Sequence, residues 1–176
     1  MSGYWDDAKL TAMTIDSDRW LHTGDQARIG DRHIYITGRI KEIIVMANGE
    51  KIAPESMERA ITLDPLFEQV MVTGEGQAYL SASVVLNPNH WSKYARELGL
   101  DPNDPATLDQ AQIQATILDK IAMRLHAFPG YAKVRSVTLS LESWTVENGL
   151  LTPTLKVRRN QVLAHLKAQG LTKTRE

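Results

Sequence analysis

The chain has 176 residues, 43% hydrophobic and 23% charged, with Lys+Arg 20 against Asp+Glu 21 and a net charge of -1. This predicts one ordinary domain with a short extra segment, and the lack of a basic field counts against nucleic acid as a partner. No cysteine is present, which excludes disulfides and thiolate metal sites; the apolar runs are too short for a membrane span, and the opening residues lack the basic flank and apolar stretch of a signal peptide.

Residues 1–33 are polar and turn-rich, with Trp5 and Trp20 as anchors and no long amphipathic helix. They read as a fragment of short strands that buries its apolar side against something else. Residues 34–37 predict a strand, Gly38 to Lys41 a break, and residues 42–46 a second strand ended by Asn48-Gly49, a strong turn pair. Pro54 suits a helix's first turn, Met57, Ala60 and Ile61 share one helical face, and Asp64-Pro65 stops that helix. Strands follow at 69–73 and 79–86, the second with Leu80, Ala82, Val84 and Leu86 on one face, and Glu75-Gly76-Gln77 turns between them.

Asn87-Pro88 caps a helix carrying Trp91, Tyr94, Ala95 and Leu98 and stopped by Gly99. Residues 101–107 read as a loop. Ile113, Ile117, Ile121 and Leu125 then recur every four residues, giving a helix ended by Pro129-Gly130. Residues 136–141 alternate, with Val137, Leu139 and Leu141 inward. After the turn at Glu147-Asn148-Gly149 come a polar loop, 151–156, and a short helix around 158–168 with Val162, Leu163 and Leu166. The order is that of an α+β fold: a small antiparallel or mixed sheet with packed helices, preceded by a short β-rich fragment.

Three polar, Gly-containing islands stand apart from this pattern. They are Trp20-Leu21-His22-Thr23-Gly24-Asp25; Thr37-Gly38-Arg39-Ile40-Lys41-Glu42, continuing from Asn48-Gly49 to Glu55; and Asn148-Gly149-Leu150-Leu151-Thr152-Pro153-Thr154-Leu155-Lys156-Val157-Arg158-Arg159. Taken singly, each has an ordinary explanation. Thr-Gly-Asp is a common turn, Gly-Arg and Asn-Gly punctuate strands, and Lys156 with Arg158 and Arg159 reads as a solvated basic edge. The five histidines are scattered without metal-ligand spacing.

Taken together with Gly3-Tyr4-Trp5 and Ile43-Ile44, the islands resemble the C-terminal part of the adenylate-forming superfamily: acyl- and aryl-CoA synthetases, adenylation domains and luciferases. The wording is most similar to long-chain fatty-acid–CoA ligases, and the resemblance covers essentially the whole chain, with little signal in residues 88–130. It implies a role for each matching residue. Asp25 matches the carboxylate that accepts from the ATP ribose hydroxyls, a suitable group because it offers acceptors only. Arg39 matches an arginine on the ribose or a phosphate, where a rigid fork meets paired oxygens. Lys41 matches the hinge, a position that many relatives fill with Asp. Asn48-Gly49 matches a loop that walls the pantetheine tunnel, often Gly-Gly in relatives; a simple hairpin turn is the alternative. Lys156 matches the lysine that lies between the carboxylate and the ATP α-phosphate during adenylation. Thr154-Leu155 precedes it where many relatives have Ser-Gly. His22, beside the site, reads as a positioning or packing residue.

The superfamily also needs a Ser/Thr/Gly-rich phosphate loop and an adenine-binding segment with a Mg-ligating Glu. Neither is found, and Gly74-Glu75-Gly76 is too short to cradle a triphosphate. The resemblance therefore implies that residues 1–38 end a large N-terminal domain, 39–41 form the hinge and 42–176 the lid. The expected substrates are a fatty acid, ATP and CoA. The Mg ligands and acid pocket belong to the N-terminal domain, which is the lid's partner. The fragment by itself is expected to be inactive. The implied compartment is the cytoplasm, with peripheral attachment at the inner membrane face as an alternative. Two functional alternatives stay open: a lid serving a carrier-protein acceptor, and a non-catalytic binding module of the same fold. Nucleic-acid binding through Lys156, Arg158, Arg159 and Lys167 is a weaker rival, since no stacking aromatics stand beside them.

Overall fold

The computed structural model describes residues 1–170, and the chain divides between Ile43 and Ile44 into two compact units. The last six residues of the lid span expected from the sequence lie outside the described residues.

The first unit holds a short helix, α1 (Ala8–Thr14), and a hairpin of β1 (Asp25–Gly30) and β2 (His33–Arg39). Asp31 and Arg32 turn the hairpin with φ of 49° and 61°, the left-handed pair that matches the twist of the flanking strands. The helix α1 is a departure from the strand-only reading. Its seven residues offer one short apolar pair, Leu10 and Met13, too little pattern to show a period, and Asp7 starts it by accepting the Leu10 N–H at 2.8 Å. Trp5 is 98% and Trp20 73% exposed, so neither anchors this unit internally. Among its residues no hydrophobic side chain is buried, and Ile29, Ile34 and Ile36 stand exposed on the hairpin.

The second unit has a core. It begins with a two-stranded ribbon, β3 (Ile44–Val45) and β4 (Lys51–Ile52), followed by α2 (Pro54–Ile61). The strand predicted over 42–46 is shorter because Ile40–Glu42 wind into a 3-10 turn. Strands β5 (Phe67–Thr73) and β6 (Leu80–Leu86) pair antiparallel, and β7 (Val134–Ser140) pairs parallel to β6. The long connection that a parallel pair requires is supplied by α3 (Pro88–Glu97) and α4 (Ala111–Arg124), leaving β6 central and β5 at an edge. Asn87 caps α3 by accepting from the Asn89 and His90 N–H groups. Helix α4 ends at Arg124, before Pro129, and Leu98 at the α3 terminus is exposed rather than packed. The last helix is α5 (Arg159–Ala168).

The sheet is covered on both faces. Val70, Val72, Leu80, Ala82, Val84, Leu86, Val137 and Leu139 pack with Met57 and Ile61 of α2, Trp91 and Ala95 of α3, and Ile113, Ile117 and Ile121 of α4. Met71 and Val85, pointing the opposite way, pack with Trp144, Leu150, Leu151 and the α5 residues Val162 and Leu166. The period-two face read from β6 is thus correct, and Val85 supplies a second, smaller core. That second core underlies the loop bearing Lys156.

Candidate functional site

The candidate site residues lie in both units: Asp25, Arg39 and Lys41 in the first, Asn48, Gly49 and Lys156 in the second. In the first unit, Asp25 and Arg39 are direct cross-strand partners at the open end of the β1–β2 hairpin. Arg39 Nε donates to Asp25 Oδ1 at 3.2 Å, and the Ile40 N–H donates to the Gly24 carbonyl, closing the hairpin. Two of the sequence-predicted nucleotide contacts are therefore already adjacent. Among the described residues the second oxygen of the Asp25 carboxylate has no partner, and it stands beside a guanidinium with further donors, a set that fits a diol next to an anion.

The loop before this pair is built on Asp16. Its carboxylate accepts from the Trp20 N–H at 2.8 Å and the Asp18 N–H at 3.0 Å, and His22 Nε2 lies 3.1 Å from Oδ2. The Trp20 N–H foremost, with His22 and the Asp18 N–H helping, holds the Asp16 carboxyl below the usual carboxylate range, against the opposing pull of desolvation. Asp16 was not singled out in the sequence. His22, read from the sequence as a positioning or packing residue, has its side chain 63% exposed and beside Asp16.

Lys41 lies exposed in the Ile40–Glu42 turn, two residues before the point where the chain divides into its units. Asn48 and Gly49 form the tight turn between β3 and β4. Gly49 has φ +82° with open space where a Cβ would stand, its N–H donates to the Met46 carbonyl, and Asn48 Oδ1 accepts the Glu50 N–H. The β5–β6 turn supports this loop: Ala47 N–H donates to the Gln77 carbonyl, Gly76 N–H to the Val45 carbonyl, and Val45 N–H to Glu75 Oε2.

Lys156 sits at the exit of a tight β-turn loop. The Thr152 N–H donates to the Lys156 carbonyl at 2.8 Å, the Lys156 N–H to Thr152 Oγ1 at 3.0 Å, and the Arg158 N–H to the Leu150 carbonyl at 2.9 Å. Leu155 takes φ +60° and is 71% exposed, which places a non-glycine residue in the left-handed region next to the lysine. Lys156 is exposed, and among the described residues its ammonium has no hydrogen-bond or ion-pair partner. The approach to the loop is fixed by Asn148, which accepts from the Thr145 N–H and donates to the Ser143 carbonyl. In the same turn Glu147's own N–H and the Thr145 hydroxyl lower the Glu147 carboxyl's pKa.

The basic edge expected at 156–159 is only partly solvated. Arg159 Nη1 donates to Glu58 Oε1 at 2.7 Å, Arg159 Nη2 donates to the Val72 carbonyl, and Glu58 Oε1 also accepts the Val72 N–H at 2.7 Å. Gln69 makes a matching tie, donating to the Trp144 carbonyl at 2.9 Å and accepting its N–H at 2.6 Å. Among the described residues no group of three His, Asp or Glu side chains could hold a metal ion, and no helix is long and apolar enough to cross a membrane.

The family model of the AMP-binding enzyme C-terminal domain matches residues 41–169. The chain belongs to this family. Curated relatives include the long-chain-fatty-acid–CoA ligase 1 of Homo sapiens, 33% identical over 95% of this chain and 24% of its own length. Another is the peroxisomal long chain acyl-CoA synthetase 6 of Arabidopsis thaliana, 34% identical over 97% of this chain and 25% of its length. The chain thus spans about a quarter of the curated relatives that it matches. Among solved structures, the adenylation domain of the carboxylate reductase from Mycobacterium chelonae is 27% identical with a TM-score of 0.78, over 95% of this chain and 25% of that one. The AMP-bound adenylation domain of a carboxylic acid reductase from Segniliparus rugosus shares the fold, at 24% identity and TM-score 0.79, over 96% and 25%. The α+β architecture is that of the C-terminal part of adenylate-forming enzymes.

Proposed function

We propose that the chain is the C-terminal part of an ATP-dependent, AMP-forming ligase that joins long-chain fatty acids to CoA, with the second unit acting as its lid. The observation that carries this reading is Lys156: an exposed, unpartnered ammonium on a loop that is anchored at both ends. The names of the curated relatives support the ligase and its acid class. The exposed apolar face of residues 1–38 supports their role as the edge of a larger N-terminal domain, which supplies the acid pocket, the phosphate loop and the Mg ligands.

In the first half-reaction, a carboxylate oxygen attacks the ATP α-phosphorus. The bond to the β-phosphate oxygen breaks and pyrophosphate leaves, giving acyl-AMP. The two reactants repel each other as anions. Lys156 offsets that repulsion and orients the attack, while Asp25 accepts from the ribose hydroxyls and Arg39 steadies the ribose or a phosphate. The lid then turns about Lys41, withdrawing Lys156 and bringing the Asn48-Gly49 turn to the site. The open backbone at Gly49 lets the thin pantetheine arm pass closely. The CoA sulfur attacks the acyl carbon, its thiol proton is released, and AMP departs.

The test is product analysis with the full-length protein. It is expected to give acid-dependent exchange of labelled pyrophosphate into ATP, and acyl-CoA with AMP as the nucleotide product. ADP as the product, or no acid-dependent exchange, would overturn the reading. A second reading, transfer to a carrier protein in place of CoA, is favoured by the fold shared with the A-PCP didomain of the Segniliparus rugosus carboxylic acid reductase, at TM-score 0.77. Acylation of a pantetheinylated carrier with no turnover of free CoA would select it.

A further inference from the structure

The Lys156 loop is held by the free edge of the sheet. Strand β5 is an edge strand, so Val72 presents its N–H and C=O away from β6. Both are occupied by side chains. Glu58 of α2 accepts the N–H, Arg159 of α5 donates to the carbonyl, and the two side chains pair at 2.7 Å. Their side chains are 22% and 18% exposed for Arg159 and Glu58, well shielded from water for a charge pair. Arg159 is the first residue of α5, three residues after Lys156. The closed ring of contacts therefore fixes the backbone just downstream of the lysine. Gln69, on the same strand, fixes the backbone of Trp144 upstream.

We propose that Arg159, through Glu58 and Val72, is a positioning residue for Lys156: it sets where the ammonium is delivered in the adenylation half-reaction and has no role in the thiol-transfer half-reaction. The inference rests on the adenylation role proposed for Lys156. Its physical basis is that the lysine stem is flexible, with several rotatable bonds, so accuracy of delivery has to come from the backbone that carries it. A clamp on both sides of a short loop supplies that accuracy. A small displacement of a reacting group by a remote change slows catalysis about 100-fold. The guanidinium fork is what allows one side chain to meet Glu58 and the Val72 carbonyl together, and a lysine can make only part of that set.

The experiment is single-turnover kinetics on the full-length ligase with Arg159→Met, Arg159→Lys, Lys156→Ala and the double variant Arg159→Met/Lys156→Ala. Arg159→Met is expected to lower the maximal rate of acyl-AMP formation by about 100-fold with little change in the KM for ATP. Conversion of supplied acyl-AMP to acyl-CoA stays within about threefold, an allowance well under one tenfold step of 1.4 kcal/mol. Arg159→Lys recovers part of the rate. The double variant is no slower than Lys156→Ala alone, because a positioning residue has nothing left to position. If Arg159→Met does not fold, Glu58→Gln, which keeps an acceptor for the Val72 N–H and removes the charge, takes its place with the same expectation. Equal slowing of both half-reactions, or fully additive losses in the double variant, would overturn the positioning role. If Lys156→Ala itself forms acyl-AMP at the normal rate, the role of Lys156 is what fails. If Lys156→Ala is inactive in that step and Arg159→Met is normal, the positioning inference fails alone.

Discussion

Replacing Gln69 by leucine isolates the upstream anchor of the Lys156 loop. The wild-type amide donates to the Trp144 carbonyl at 2.9 Å and accepts the Trp144 N–H at 2.6 Å, while the indole is buried in the small core under the loop. Leucine has a similar volume and offers neither a donor nor an acceptor. It leaves one N–H and one C=O of a buried residue without their partners, each worth about 1–3 kcal/mol. Because the position is only partly buried and water reaches some of it, a loss of about 3 kcal/mol in total is expected. For a chain of this size that corresponds to a fall in Tm of roughly 6–12 °C. Urea unfolding followed by circular dichroism measures it, with an unchanged m-value showing that the denatured state is not what moved. Hydrogen exchange at the Lys156 and Arg158 amides should quicken in the same variant, since both lie in the loop that the amide restrains. Gln69→Glu is expected to be no better: it keeps an acceptor for the N–H but turns an oxygen toward the Trp144 carbonyl. A Gln69→Leu protein within about 0.5 kcal/mol of wild type, the range of ordinary surface changes, would refute the claim that this amide holds the loop.

Ile117→Ala, at a fully buried position of α4 against the sheet, should destabilise by about 2–5 kcal/mol, read by the same urea titration. Asp16→Asn should destabilise the loop before Asp25 at pH 7. The Asp16 carboxyl has a lowered folded-state pKa, so its contribution is fully present above the unfolded value and disappears as pH falls through the folded one. The difference between wild type and variant, followed by the exchange rates of the Trp20 and Asp18 amides, should therefore shrink toward acid. A difference that grew there would contradict the assignment. Asp25→Asn should raise the KM for ATP in the full-length enzyme about 10-fold or more, as loss of a charged acceptor predicts, while conferring no large change in chain stability.

The elements most legible in the sequence are those whose signal is local. Helix α4 repeats its isoleucines every four residues, Asn87-Pro88 and Gly99 mark both ends of the helical run, and β6 alternates along its whole length. The pairing of β7 with β6 is parallel, which no local pattern reveals, because it depends on where two intervening helices return the chain. The site divides the same way. Asp25, Arg39 and Lys156 stand in recognisable wording, and the hairpin brings the first two within 3.2 Å as cross-strand partners. Arg159 looked like one more solvated cation beside Lys156. Its partners Glu58 and Val72 lie 101 and 87 residues away, and Gln69 meets Trp144 across 75 residues, separations that leave no trace in a linear pattern. Helix α1 escaped because seven residues with one apolar pair carry too little periodicity, and Trp5 and Trp20 are exposed within the first unit, in keeping with a fragment that buries its apolar side elsewhere.

In the proposed mechanism one amine, that of Lys156, enables the attack on the nucleotide and is then dispensable. Rapid-quench kinetics of the Lys156→Ala full-length enzyme, timing acyl-AMP formation and thioester formation from purified acyl-AMP separately, addresses it most directly. The account predicts that the first rate falls by about 100-fold or more while the second matches wild type. Wild-type adenylation, or a matching collapse of both rates, would contradict it.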